Sequence, residues 1–113
     1  MSSHSRGRTA EDVAAHYLLG KKFEILDRNW RTKWCEIDIV ARKDSCAYFV
    51  EVKYRKSTSS GSGLDYITDT KLQRMTRAAE SWVQANGWGQ QYSLAVIELA
   101  GDTPVVTEAL FTL

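Results

Sequence analysis

Apolar residues recur at helical spacing in two stretches of the chain and alternate with polar residues in five others. Val13, Ala14, Tyr17 and Leu18 form one stripe, so residues 10–19 are predicted to be a helix. Thr9 is the expected N-cap, Glu11 and Asp12 fill the first turn where the helix dipole favours acids, and Gly20 ends the helix. A second helix over 70–85 follows from Leu72, Met75, Ala79, Trp82 and Val83, with Thr68 or Asp69 as cap and Gly87 as stop. Strands are predicted at 23–31, with imperfect alternation, and at 35–42, where Ile37, Ile39 and Ala41 alternate with Glu36, Asp38 and Val40. A third, 47–54, sets Tyr48, Val50 and Val52 on one face and Phe49, Glu51 and Lys53 on the other. Strands at 92–99 and 105–113 complete the order αβββαββ, a mixed α/β arrangement in which helices flank a central sheet. Residues 1–8 are expected to be a disordered tail and 57–66, which contains STSSGSG, a flexible loop.

Length and composition narrow this to one domain: 113 residues, 43% apolar and 26% charged. No apolar run approaches the roughly 18 residues that a membrane span needs, and the first residues lack the apolar centre of a signal peptide. A cytoplasmic protein with no membrane partner is expected. Cys35 and Cys46 have no CxxC spacing, which argues against structural zinc or a redox pair. The net charge of +1 conceals a segregation. Fifteen Lys and Arg stand against ten acids up to Arg77, a net +5, and four acids with no Lys or Arg follow, a net −4. Such a chain presents a basic face to an anionic partner unless folding mixes the two blocks. On the first reading the acidic block is the back of the molecule or a dimer surface.

The turn between the second and third strands sharpens the chemistry. A two-residue loop at Asp44 and Ser45 sets Asp38 opposite Glu51 and Glu36 opposite Lys53, with facing Cβ atoms about 5 Å apart. Opposed carboxylates repel each other, and a divalent cation resolves the conflict. All-oxygen ligands suit Mg²⁺ or Mn²⁺ rather than zinc. Such an ion acidifies a water while a neighbouring lysine stabilises charge on a phosphate, which is the chemistry of phosphodiester hydrolysis. The residues alone also allow a plain solvated face. The same two readings apply to Arg28, Arg31, Lys33, Arg55 and Lys56, which either track a nucleic-acid backbone or guard a strand edge. Trp30 and Trp34 either stack on bases or pack, and Trp82 belongs to the core.

The run WCEIDIVARKDSCAYFVEVKYR resembles the PD-(D/E)XK nuclease superfamily, and within it the small bacterial YraN family, whose members carry a Gly-Glu-Ile-Asp strand followed by a Phe-Val-Glu-Val-Lys strand. Glu11, Ala14, Tyr17, Leu18, Asn29, Arg31 and the helix starting near Lys71 extend the resemblance from Gly7 to about Val83. It implies a restriction-endonuclease-like fold similar to that of archaeal Holliday-junction resolvases. It further implies Asp38 and Glu51 as metal ligands with the Val52 main-chain carbonyl, Glu11 reaching the same Mg²⁺ or Mn²⁺, and Lys53 as the catalytic lysine. Glu36 matches the family's Glu-Ile-Asp signature, and Lys71, Arg31 and Arg55 are expected substrate contacts. Cys35 departs from the family glycine. Strand parity places it on the face opposite Glu36 and Asp38, away from any catalytic role. The expected function is metal-dependent cleavage of DNA, at branched or structured sites, with a homodimer needed for paired cuts at a junction. The alternative is a non-catalytic nucleic-acid-binding or scaffolding module on the same fold.

Overall fold

The computed structural model describes residues 3–56 and 67–113; the expected flexible loop, 57–66, lies outside them. Its elements are α1 (Ser3–Gly20), β1 (Glu24–Arg31), β2 (Glu36–Lys43), β3 (Cys46–Arg55), α2 (Asp69–Asn86), β4 (Gln91–Ala100) and β5 (Val105–Leu110). The strands form one sheet in the order β1-β2-β3-β4-β5. Neighbours are antiparallel except β3 and β4, which run parallel and therefore need a long crossover, supplied by α2.

Each helix covers one face of the sheet. Ala10, Ala14, Ala15 and Leu18 of α1 pack on Ile39, Ala41, Val50, Ala95, Ile97 and Leu99. Ala78, Ala79 and Trp82 of α2 pack on Ile37, Val40, Ala47 and Phe49. Small residues on the helices let them lie close to the sheet, and the buried Trp82 finds a partner for its N–H in Asp27 Oδ2 at 3.2 Å. Trp82 is core, as its spacing predicts.

The second helix begins and ends where its pattern says. Thr68 Oγ1 accepts from Lys71 N–H, and Gly87 closes the helix in the left-handed conformation with φ +63°. A Cβ added at Gly87 meets nothing within 4 Å, so only its backbone conformation resists substitution. Gly87→Ala is expected to destabilise the fold by about 1 kcal/mol, seen in chemical denaturation as a lower midpoint at constant slope.

Two expectations need correction. Helix α1 starts at Ser3, so Thr9 lies inside it and is no cap, Glu11 and Asp12 are not in its first turn, and part of the expected disordered tail is helical backbone. The dipole thus gives no separate reason for Glu11. In β2, strict alternation fails at Asp38, because Ile37 joins the α2-side core while Ile39 joins the α1-side core. On β1, Asn29 adopts φ +51° between the ladder pairs Arg28↔Ile39 and Trp30↔Ile37, and the register shifts between Ile25 and Asp27.

Candidate active site

The β2–β3 hairpin turns at Asp44 and Ser45, with Asp44 at φ +56°, and its ladder runs in the expected register from Lys43↔Cys46 to Ile39↔Val50. There the ladder stops, one pair short of the expected facing of Asp38 and Glu51. Asp38 then replaces a backbone partner: Val52 N–H donates to Asp38 Oδ2 at 2.8 Å. This keeps Asp38 beside the Glu51-Val52-Lys53 segment while the strands part. Glu36 consequently does not face Lys53; it pairs with Arg31 across the β1–β2 ladder, Nη2 to Oε1 at 3.1 Å.

Asp38 is half-buried, and its carboxyl is pushed up from 3.8 to about 6. Burial is the largest cause. The Val52 N–H pulls the other way, and the carboxylates of Glu11, Glu51 and Glu36 add repulsion. Acids from α1, β2 and β3 thus act on one group. Glu51 Oε2 is shut off from solvent and stands 2.7 Å from Lys71 Nζ in the first turn of α2. The two form a largely buried ion pair. Among the described residues, no three His, Cys, Asp or Glu side chains are placed to hold a metal ion together.

Lys53 and Arg55 follow Glu51 on the same face of β3. In the parallel register Lys53 stands opposite Glu98 of β4, and such partners share a sheet face. Glu98 is a buried charged residue that the charge pattern assigns to the back of the molecule. Instead it takes Arg55 Nε at 3.2 Å on Oε2 and Thr107 Oγ1 at 3.1 Å on Oε1. Arg55 is therefore engaged in the interior. The available signal was a single acid inside the apolar run SLAVIELA, the same cue that marks Glu51 in YFVEVKY. Arg28 is paired at the surface, with Asp12 at 2.7 Å.

Where β2 and β3 part, a cleft of about 510 Å³ opens, with Asp38 and Glu51 in its lining together with Arg31, Lys33, Trp34 and Arg74. Cys35 and Glu36 line it too. The expectation that Cys35 occupies the opposite face is thus overturned: β2 begins only at Glu36, so strand parity does not extend to position 35, and Cys35 Sγ lies 4.0 Å from Ser81 Oγ of α2.

A mixed five-stranded sheet between two helices, with an acid-lined cleft at the parting of an antiparallel hairpin, defines an α/β protein with one candidate site. Residues 10–99 match the uncharacterised protein family UPF0102, and the chain belongs to that family, the YraN family of the sequence comparison above. The UPF0102 protein of Sulfurihydrogenibium sp. is 33% identical over 114 residues, covering 100% of this chain and 99% of its own. That of Parafrankia sp. is 46% identical over 81 residues, 72% of this chain and 69% of its own. That of Vibrio parahaemolyticus is 31% identical over 108 residues, 96% and 85% respectively. No helix among the described residues is long and apolar enough to cross a membrane.

Proposed function

We propose that the protein is a metal-dependent endonuclease that hydrolyses phosphodiesters of DNA, with branched or otherwise structured DNA as its target. The observation that supports this best is Asp38: a half-buried carboxylate, tied to Val52 N–H, on which Glu11, Glu51 and Glu36 converge electrostatically. Its position on a hairpin that also carries Glu51-Val52-Lys53 agrees with the PD-(D/E)XK resemblance and supports reading the mixed sheet as that fold.

The donors fit Mg²⁺ or Mn²⁺. These ions need only one or two carboxylates because they retain waters, and an ion on Glu51 would take the place that the Lys71 ammonium holds. Asp38 and Glu51 would hold the ion with the Val52 main-chain carbonyl, and Glu11 would approach from α1. When bound, the ion supplies a Lewis acid for the phosphate and an acidified water. Lys53, one position beyond on the same strand face as Glu51, stabilises negative charge developing on the phosphate. Arg31 and Arg74 in the cleft lining supply positive charge for flanking phosphates, Lys71 joins them once an ion replaces it on Glu51, and Glu36 orients Arg31 at the rim. Paired cuts at a junction require two copies, for which the exposed Val105 and Leu110 of the edge strand β5 offer an apolar surface.

The test is cleavage of junction, flap, single-stranded and duplex DNA with Mg²⁺, Mn²⁺ or EDTA. Metal-dependent cutting should fall at least about a hundredfold in Asp38→Ala, Glu51→Ala and Lys53→Ala. Cutting that survives in either carboxylate variant refutes the assignment. The second reading, a non-catalytic nucleic-acid-binding module, is favoured by the lysine already seated on Glu51. Calorimetry that detects no Mg²⁺ or Mn²⁺ binding, alongside DNA binding with a steep salt dependence, would select it.

A further inference from the structure

We propose that Trp34 is a stacking platform for an unpaired nucleobase, so that the cleft prefers strands with exposed bases over intact duplex. This inference rests on reading the cleft as a nucleic-acid site.

Of the two tryptophans near the basic residues, Trp30 packs against the α2-side core, whereas Trp34 is 82% exposed. Leaving an indole in water forgoes one of the largest stabilising burials available to a side chain, so the ring contributes little to folding. Its mount is nevertheless firm. Thr32 N–H donates to Cys35 O at 2.8 Å, and Thr32 Oγ1 accepts from the N–H of Trp34 at 3.1 Å and of Cys35 at 3.0 Å. These bonds fix the β1–β2 turn that carries the ring.

The surroundings match a nucleotide rather than an apolar protein surface. Lys33 Nζ lies 5.3 Å from the Trp34 ring centroid, Arg31 precedes it on the same hairpin, and Arg74 of α2 lines the same cleft. The other large exposed apolar residues, Leu19, Tyr92, Val105 and Leu110, belong to α1, β4 and β5. Glu36, Asp38 and Glu51 line the same cleft and Glu36 is paired with Arg31, so the positive charge at the ring itself is that of Lys33. An exposed aromatic with a cation beside it is the combination that holds single strands, with bases stacked on the ring and phosphates drawn by charge. Bases inside a duplex are stacked on one another and present only their edges, so Trp34 engages at unpaired stretches, flaps and strand ends. Trp34 and Asp38 line one cleft, so a base on the ring sets the adjoining phosphates toward the acids.

Fluorescence anisotropy in EDTA and low salt measures this apart from chemistry, with a labelled single-stranded oligonucleotide and a blunt duplex of equal length. Trp34→Ala should weaken single-strand binding by about 5- to 100-fold and duplex binding by less than about twofold, with an unchanged melting temperature. Trp34→Phe should restore most of the loss. The inference is overturned by wild-type protein that does not bind the single strand, by an unchanged affinity in Trp34→Ala, or by equal losses on both ligands. Asp38-dependent cleavage without Trp34-dependent binding sinks this inference alone. Trp34-dependent binding without cleavage sinks only the nuclease reading.

Discussion

Asp38→Asn is expected to raise the melting temperature of the metal-free protein at pH 7.5 by about 5–10 °C while lowering cleavage about a thousandfold. The two effects have one cause. The carboxyl titrates near 3.8 in the unfolded chain and at about 6 in the fold, where burial first and then Glu11, Glu51 and Glu36 oppose its charge. A carboxyl whose pKa rises on folding binds its proton more tightly in the native state. Its contribution is most favourable below pH 3.8, is lost as the pH climbs to about 6, and is a full penalty above that. The gap between 3.8 and about 6 corresponds to about 3 kcal/mol, an upper bound because the group is only partly buried. Asn removes the charge and keeps an oxygen to accept from Val52 N–H, so most of that penalty should disappear. Thermal melts from pH 4.5 to 8 should therefore show the variant gaining on wild type as the pH rises. Added Mg²⁺ should stabilise wild type and leave Asp38→Asn nearly unmoved. A variant that melts at or below wild type at pH 7.5 contradicts the charge argument, and one that still cuts contradicts the site.

That a site of this kind is locally unfavourable explains which parts of it could be read from sequence. The turn at Asp44 and Ser45 sets the register by arithmetic as far as Ile39↔Val50, which brings Asp38 and Glu51 to one cleft although the ladder stops before they pair. Likewise Thr68 and Gly87 bound α2 through local backbone chemistry. The failures are non-local. Extending the same register to Glu36 and Lys53 assumes an unbroken ladder, yet it ends where Asp38 takes the Val52 N–H, and Ile37 and Ile39 on either side of Asp38 join opposite cores. The exposure of Trp34 is set by a turn outside strand periodicity, where alternation carries no information. Glu98 escapes for another reason. Block charges place it with the acidic third of the chain, but the parallel register of β3 on β4 depends on a crossover that no local pattern encodes.

That buried acid leads to the other large effect: Arg55→Ala is expected to destabilise the protein by about 3–5 kcal/mol, enough to lower the melting temperature by more than about 10 °C. The side chains of Arg55 and Glu98 are 18% and 5% exposed, with Nε and Oε2 3.2 Å apart. Removing the guanidinium takes away the direct ion pair and leaves the carboxylate with Thr107 Oγ1 on its other oxygen and Lys53 at the opposite ladder position. An uncompensated buried charge is what makes such truncations severe, whereas replacing both partners with apolar groups of similar size is often neutral. Arg55→Met combined with Glu98→Leu should therefore recover most of the stability lost in Arg55→Ala, giving a large coupling in a double-mutant cycle. The comparison also separates the two roles open to Arg55. If it tracked a phosphate backbone from the surface, its loss would weaken DNA binding and leave the melt within about 0.5 kcal/mol of wild type. If it anchors Glu98 of the neighbouring strand β4, the melt collapses in the single variant and returns in the double, while the salt dependence of DNA binding in the refolded double variant stays close to wild type.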